Sequence, residues 1–195
     1  MPWTLIAVRL AFAPMILVAA ILGWQGSTLF LIAGLAALSD LFDGMIARKL
    51  RIDTARIRQV DSRVDTVFYF AAATALLYRY PDVWYQYRAA IIGLAIVELG
   101  RLAFERRKFG RGAAYHMWSA KVWGFAMLLG FGEVTLRGRA GALFVLAIAI
   151  GFVTNIEGLA ASLLFRDWHY DVPTFWHAMK LERQLRRPGM NGPVR

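Results

Sequence analysis

Six long apolar stretches take up most of this 195-residue chain and leave it few ways to fold. They run over residues 3–23, 27–38 with a polar helical continuation to about 49, and then about 57–77, 84–103, 113–132 and 140–165. At 1.5 Å per residue, a helix of about twenty residues crosses a hydrocarbon core of about 30 Å. Hydrophobic residues make up 58% of the sequence and the mean hydropathy is +0.47. Soluble domains are roughly 45–50% apolar, and one of this length could not hide the excess. The expected fold is therefore an all-α integral membrane protein with six transmembrane helices. The first stretch is too long for a signal-peptide core and lacks a basic leader, so it reads as a retained span. Arg9, two turns into it, is expected to snorkel toward an interface.

Charge supplies the orientation. The net charge is +10, and the cations cluster between apolar stretches, a pattern of membrane topology and anionic headgroups rather than of nucleic-acid binding. Arg48, Lys49, Arg51, Arg56 and Arg58 lie between the second and third stretches. Arg106, Arg107, Lys108 and Arg111 lie between the fourth and fifth, in what reads as a basic loop over 105–111. The opposite connections hold only Arg79 and Arg88, and Arg137 and Arg139. Both termini and the second connection then face the cytoplasm. Residues 1–165 read as one transmembrane domain, and 166–195 as a cytoplasmic tail. In the tail a short helix would lay Phe175, Trp176, Met179 and Leu181 on the membrane surface. Cysteine is absent, which excludes disulfides and thiolate metal sites.

The chemistry concentrates between positions 40 and 65. Four aspartates stand there as two pairs, Asp40 with Asp43 and Asp61 with Asp65. On helices, spacings of three and four put each pair on one face. Gly44 and Ala47 continue the first face and let a ligand or another helix approach the backbone. One carboxylate at membrane depth costs about 3 kcal/mol, and four cost on the order of 10 kcal/mol before their mutual repulsion. Two readings are open. The aspartates pair with arginines of the same stretch, an arrangement that carries little information. Or they hold divalent cations, and then carboxylate oxygens without nearby His or Cys favour Mg²⁺ or Mn²⁺ over zinc. Two such ions would clamp phosphate oxygens.

The run Asp40-x2-Asp43-Gly44-x2-Ala47-Arg48, then Ile57, Asp61 and Asp65, resembles the signature of the CDP-alcohol phosphotransferase (CDP-alcohol phosphatidyltransferase) family. Arg9 and Pro14 are similar to its first-helix arginine and proline. The resemblance implies transfer of a substituted phosphate group, phosphatidyl from CDP-diacylglycerol, to an acceptor hydroxyl with release of CMP, in phospholipid biosynthesis. It implies that Asp40, Asp43, Asp61 and Asp65 hold the metals, with Asp65 also the general base. It implies that Gly44, Ala47, Arg48 and Thr54 bind the nucleotide-linked donor. A polar cavity open to the cytoplasm, a homodimer and a bacterial cytoplasmic membrane also follow from it. Ile57 stands where the pattern has a second glycine, which opens the reading of a catalytically silent relative. Thr66 stands where inositol- and glycerophosphate-using relatives often carry a basic residue. A prenyltransferase also uses two aspartate motifs, but needs more helices and lacks the Gly-x2-Ala-Arg continuation. An ion transporter would spread polar residues through several helices.

Elsewhere, Arg101 either pairs with Glu98 at i,i+3 or lines an acceptor pocket. Lys121, among tryptophans, either binds an anionic group of a substrate or snorkels. Asn155 and Glu157 either line the same cavity or cap a helix interruption. His116, His169 and His177 share no metal-ligand spacing and read as interfacial.

Overall fold

A computed structural model of the chain describes residues 2–50, 55–112, 115, 117–169 and 172–185, without the side chains of 2–5, 40–50, 55–59, 61–63 and 185. Seven α-helices are present among the described residues: α1 Pro2–Ile21, α2 Gly26–Leu50, α3 Ala55–Arg79, α4 Pro81–Phe109, α5 Trp118–Arg137, α6 Ala142–Leu164 and α7 Phe175–Leu185. Proline opens α1 and α4, where its missing N–H costs nothing. At the end of α1, Gly23 takes a positive φ, with Gly23 N–H bonding Ala20 and Trp24 N–H bonding Ala19, which satisfies the last carbonyls.

The expected basic loop over 105–111 is instead mostly helix. α4 runs on to Phe109 because Arg106, Arg107 and Lys108 in its last turn complement the helix dipole, and Glu105 turns inward. The helix stops at Gly110, again at positive φ. By length and composition, one helix among the described residues, α6, can cross a membrane; Ile6–Ile21 and Gly26–Ser39 are shorter apolar runs. Large apolar side chains point away from the chain, with Phe70 at 77% and Leu99 at 65% exposure. Outward apolar surface on that scale suits a lipid environment.

Two compact units form, Met1–Tyr87 with Leu128–Phe144 and Arg88–Met127 with Val145–Arg195. In the first, α1 packs on α2 and α3. The core stripes are Leu29, Ile32, Ala33 and Ala36 on α2 and Phe68, Ala71, Ala72 and Ala75 on α3, closed by Ala13, Ile16, Ala19 and Ala20 on α1. Both stripes follow i,i+3,i+4,i+7, and the alanines let the helix backbones approach closely, the usual means of association in lipid. Glu133, buried, accepts from Gly141 N–H at 3.1 Å and Phe144 N–H at 3.0 Å and so caps the start of α6. A Cβ on Gly141 would fall 2.5 Å from that carboxylate.

In the second unit α4 and α6 run parallel. Gly93 lies against Phe152, Arg101 reaches Asn155, and Lys108 reaches the Ser162 carbonyl at 2.8 Å. The tail joins this unit's core: Val172 and Ala178 are buried with Tyr115, Met117, Ala161 and Phe165. The apolar pattern of α7 therefore divides. Phe175 and Leu181 pack inward on this cluster, whereas Trp176 is exposed. Glu157 accepts from Phe175 N–H at 3.0 Å and so caps the start of α7, while α6 runs without the interruption that the sequence offered as one reading.

Candidate active site

Three helices meet at Arg9. Its side chain, on α1, is almost wholly buried, and its guanidinium ion-pairs with Asp65 on α3. The same guanidinium lies 3.5 Å from Ser39 Oγ on α2, the residue before Asp40. Ser39 Oγ donates to the Ala36 carbonyl at 2.8 Å, which holds it in place. α1 thus ties α2 at the start of the first aspartate pair to α3 at the end of the second. The expected snorkelling of Arg9 is corrected: a carboxylate from another helix reaches it inside the unit, and a buried guanidinium is stable only with such a partner.

The sequence spacing keeps 40, 43, 44 and 47 on one face of α2, and 61 and 65 on one face of α3. The side chains of Asp40, Asp43, Gly44, Ala47, Arg48, Ile57 and Asp61 lie outside the described residues, as does Thr54 altogether. Of the four aspartates only Asp65 has a described side chain, and among the described residues no group of three or more His, Asp or Glu side chains could hold a metal ion.

A second polar cluster occupies the other unit. Arg101 donates from Nε to Asn155 Oδ1 at 2.9 Å and from its terminal nitrogen to Glu105 Oε1 at 2.7 Å. Its acidic partner is therefore Glu105 at i,i+4, not Glu98. Ser162 Oγ also donates to Glu105, at 3.1 Å, and Tyr115 Oη lies 3.0 Å from Ser162 Oγ. Asn155 is oriented by its own donation to the Gly151 carbonyl at 3.0 Å. Gly158 leaves space for the arginine, since a Cβ there would lie 3.1 Å from Arg101 Cδ. Burial pushes the Tyr115 phenol up from its ordinary value, and the bond to Ser162 pulls partly the other way. Lys121 is exposed, with Nζ 4.5 Å from the Trp118 ring centroid, a cation–π contact at the start of α5. Arg101 is thus built into its unit, whereas Lys121 is held only by a neighbouring ring.

The sequence reading did not pair Arg9 with Asp65 or Arg101 with Glu105. A signal for Arg101–Glu105 was present in their helical spacing, once α4 is carried past 103. No local signal exists for Arg9–Asp65, whose members are 56 positions apart.

The family model for CDP-alcohol phosphatidyltransferase matches residues 1–164. The chain belongs to the CDP-alcohol phosphatidyltransferase family. No curated protein and no solved structure gives a significant match. Membership makes the protein a transferase of a membrane family, in agreement with the apolar α6. The matched region takes in Arg9, all four aspartates and the Arg101–Glu105–Asn155–Ser162 cluster, and stops at the last residue of α6. CDP-alcohol phosphatidyltransferases generally use divalent metals.

Proposed function

We propose that this family member moves a phosphatidyl group from CDP-diacylglycerol to an acceptor hydroxyl, with release of CMP, as a step of phospholipid biosynthesis. The observation that carries the reading is Arg9, which joins the Asp40 end of α2 to Asp65 on α3 through a buried guanidinium. The donor set fits hard cations. It consists of aspartate oxygens without cysteine, and the described Asp65 side chain is a quarter exposed. Asp40, Asp43, Asp61 and Asp65 would hold two Mg²⁺ or Mn²⁺ ions. Bound there, the ions would neutralise charge on the diphosphate.

The protein's own groups do the rest. Gly44 and Ala47 leave room for the nucleotide, and Arg48 and Thr54 bind the donor. Arg9 fixes the Asp65 carboxylate, which takes the proton of the acceptor hydroxyl. The acceptor oxygen attacks the lipid-bearing phosphorus, and the bond from that phosphorus to the CMP oxygen breaks, so that CMP leaves with the bonding pair. Arg101 and Lys121 bind the acceptor; the support for Arg101 is a guanidinium pre-oriented by Glu105 and Asn155. The arrangement of Lys and Arg between helices supports a cytoplasmic site with both termini on that side. A homodimer in a bacterial cytoplasmic membrane completes the proposal on family grounds.

The test is CMP release by purified protein in nanodiscs with Mg²⁺ or Mn²⁺, CDP-diacylglycerol and a panel of alcohols: glycerol-3-phosphate, inositol, inositol phosphate, serine and phosphatidylglycerol. Release that needs the metal, one acceptor and Asp65 supports the reading. Ile57 favours one alternative, a silent relative: nucleotide binding without release for any acceptor, restored by Ile57→Gly, would support it.

A further inference from the structure

The second unit carries, at the end where α4, α6 and α7 meet, a surface that the transfer chemistry does not use. Lys108 Nζ donates to the carbonyls of Ser162 and Leu163, which ties the C-terminus of α4 to that of α6. Phe109, Leu164, Phe165 and Phe175 share one core there. Around it the charges are sorted by sign. Glu105 and Glu182 are buried, and Glu157 is bound to the N-terminus of α7. Arg107, Arg111, Arg166, Lys180 and Arg183 are exposed, against one exposed acid among the described residues at this end, Asp167. Arg111 stacks on Trp168, 3.9 Å from the ring centroid, and Trp168 Nε1 donates to the Gly112 carbonyl at 3.1 Å.

α7 adds an apolar element to this cationic rim. Trp176, Met179, Lys180 and Arg183 follow one another at i,i+3,i+4,i+7, so they form one outward stripe. Trp176 is 77% exposed. The opposite face is anchored through Ala178 and Glu182, both buried, and through the Glu157 cap. α7 is therefore fixed to α6, the helix able to cross a membrane, only a short connection beyond its end. A tryptophan flanked by cations, fixed beside a membrane span, has the chemistry of an interfacial anchor.

We propose that the outer face of α7 and the basic rim around it form a docking surface for anionic phospholipid headgroups of the same leaflet. Tryptophan occupies the headgroup–acyl boundary, while Lys180, Arg183 and the neighbouring arginines meet lipid phosphates. The surface is independent of the transferase reading, since it uses none of the residues assigned to donor, metal or proton transfer.

The chain has no cysteine, so a single Trp176→Cys substitution gives a unique labelling site on the full-length protein. The exposed position keeps the substitution out of the core. A nitroxide there is read by its relative accessibility to oxygen and to a water-soluble nickel complex, in vesicles of phosphatidylcholine alone or mixed with phosphatidylglycerol. The label is expected to become lipid-accessible in the mixed vesicles and to return toward water at high salt. Each Lys or Arg near an anionic surface is worth roughly fivefold in binding. Lys180→Gln with Arg183→Gln should then shift the docking equilibrium by roughly 25-fold, without altering the label in phosphatidylcholine. Equal water accessibility in both vesicles, or a lipid-dependent shift that the double substitution leaves intact, overturns the proposal; the first result would leave the face to a protein partner.

Discussion

Two arginine–carboxylate pairs, Arg9–Asp65 in the first unit and Arg101–Glu105 in the second, are inverted in exposure, and Arg137–Glu133 of the first unit has the sense of the second pair. In the first, the Arg9 side chain is 2% exposed and that of Asp65 is 26% exposed. In the second, Glu105 is 0% exposed and Arg101 is 19% exposed. A pair of this kind cancels charge inside the unit and offers its more exposed member to whatever lies outside. Arg9–Asp65 offers a carboxylate, suited to a cation or a proton. Arg101–Glu105 offers a guanidinium, suited to an anion. The pairs also differ in what joins them: Arg9–Asp65 bridges α1 and α3, whereas Arg101–Glu105 lies within one turn of α4 and gains its rigidity from Asn155 and Ser162 on α6.

The largest expected effect breaks the outward carboxylate. Asp65→Asn removes the proposed base, and CMP release should fall by about 10²–10⁴-fold. Arg101→Gln should leave metal-dependent nucleotide binding intact and act on acceptor affinity. Initial-rate measurements against CDP-diacylglycerol and acceptor separate the two.

Stability comes next, and it should mirror the inversion. Taking one partner from a buried pair costs about 3–5 kcal/mol, because the other charge is left in a poor solvent. Asp65→Leu, which takes a carboxylate from the deeply buried Arg9, should therefore destabilise more than Arg9→Met, which acts on a partly exposed aspartate. In the second unit the order reverses: Arg101→Met should cost more than Glu105→Leu. Denaturant unfolding in a fixed detergent measures all four. The same order of partners in both units would remove the basis of the comparison.

A smaller change sharpens the second pair alone. Gly158→Ala puts a methyl group 3.1 Å from Arg101 Cδ. Overpacking of about 1 kcal/mol would displace the guanidinium and raise the acceptor KM by about fivefold, with kcat kept. The smallest effect is in the titration of Tyr115. Its folded pKa is raised, so the phenol binds its proton more tightly in the native state than in the unfolded chain. Its contribution to stability is full below the unfolded value of about 10 and is lost as pH rises through the folded value. Absorbance titration should show tyrosinate at Tyr115 forming at higher pH in a Ser162→Ala protein than in the wild type, because the hydroxyl bond opposes the shift due to burial.

What could be read from the sequence was what is local. The aspartate pairs are spaced by three and four, so their helical faces were visible without coordinates. The long helices followed from apolar length. The end of α4 was placed too early because a dense run of cations resembles a loop, although the same cations stabilise a helix C-terminus. The fate of Arg9 was out of reach, since α1 must first pack on α3 before Asp65 comes near. The α7 pattern was legible as amphipathic but not in direction: Phe175 and Leu181 found a core within the chain, which left Trp176 outside.

The proposed role of Asp65 as the working carboxylate of a metal-dependent transfer site can be tested directly. The most direct measurement is CMP release from CDP-diacylglycerol by wild type and Asp65→Asn across a Mn²⁺ titration, with the responsive acceptor present. The expected result is metal-dependent release by the wild type and a loss of about 10²–10⁴-fold in the variant that added Mn²⁺ does not restore. Wild-type rates in Asp65→Asn at saturating Mn²⁺ would contradict it.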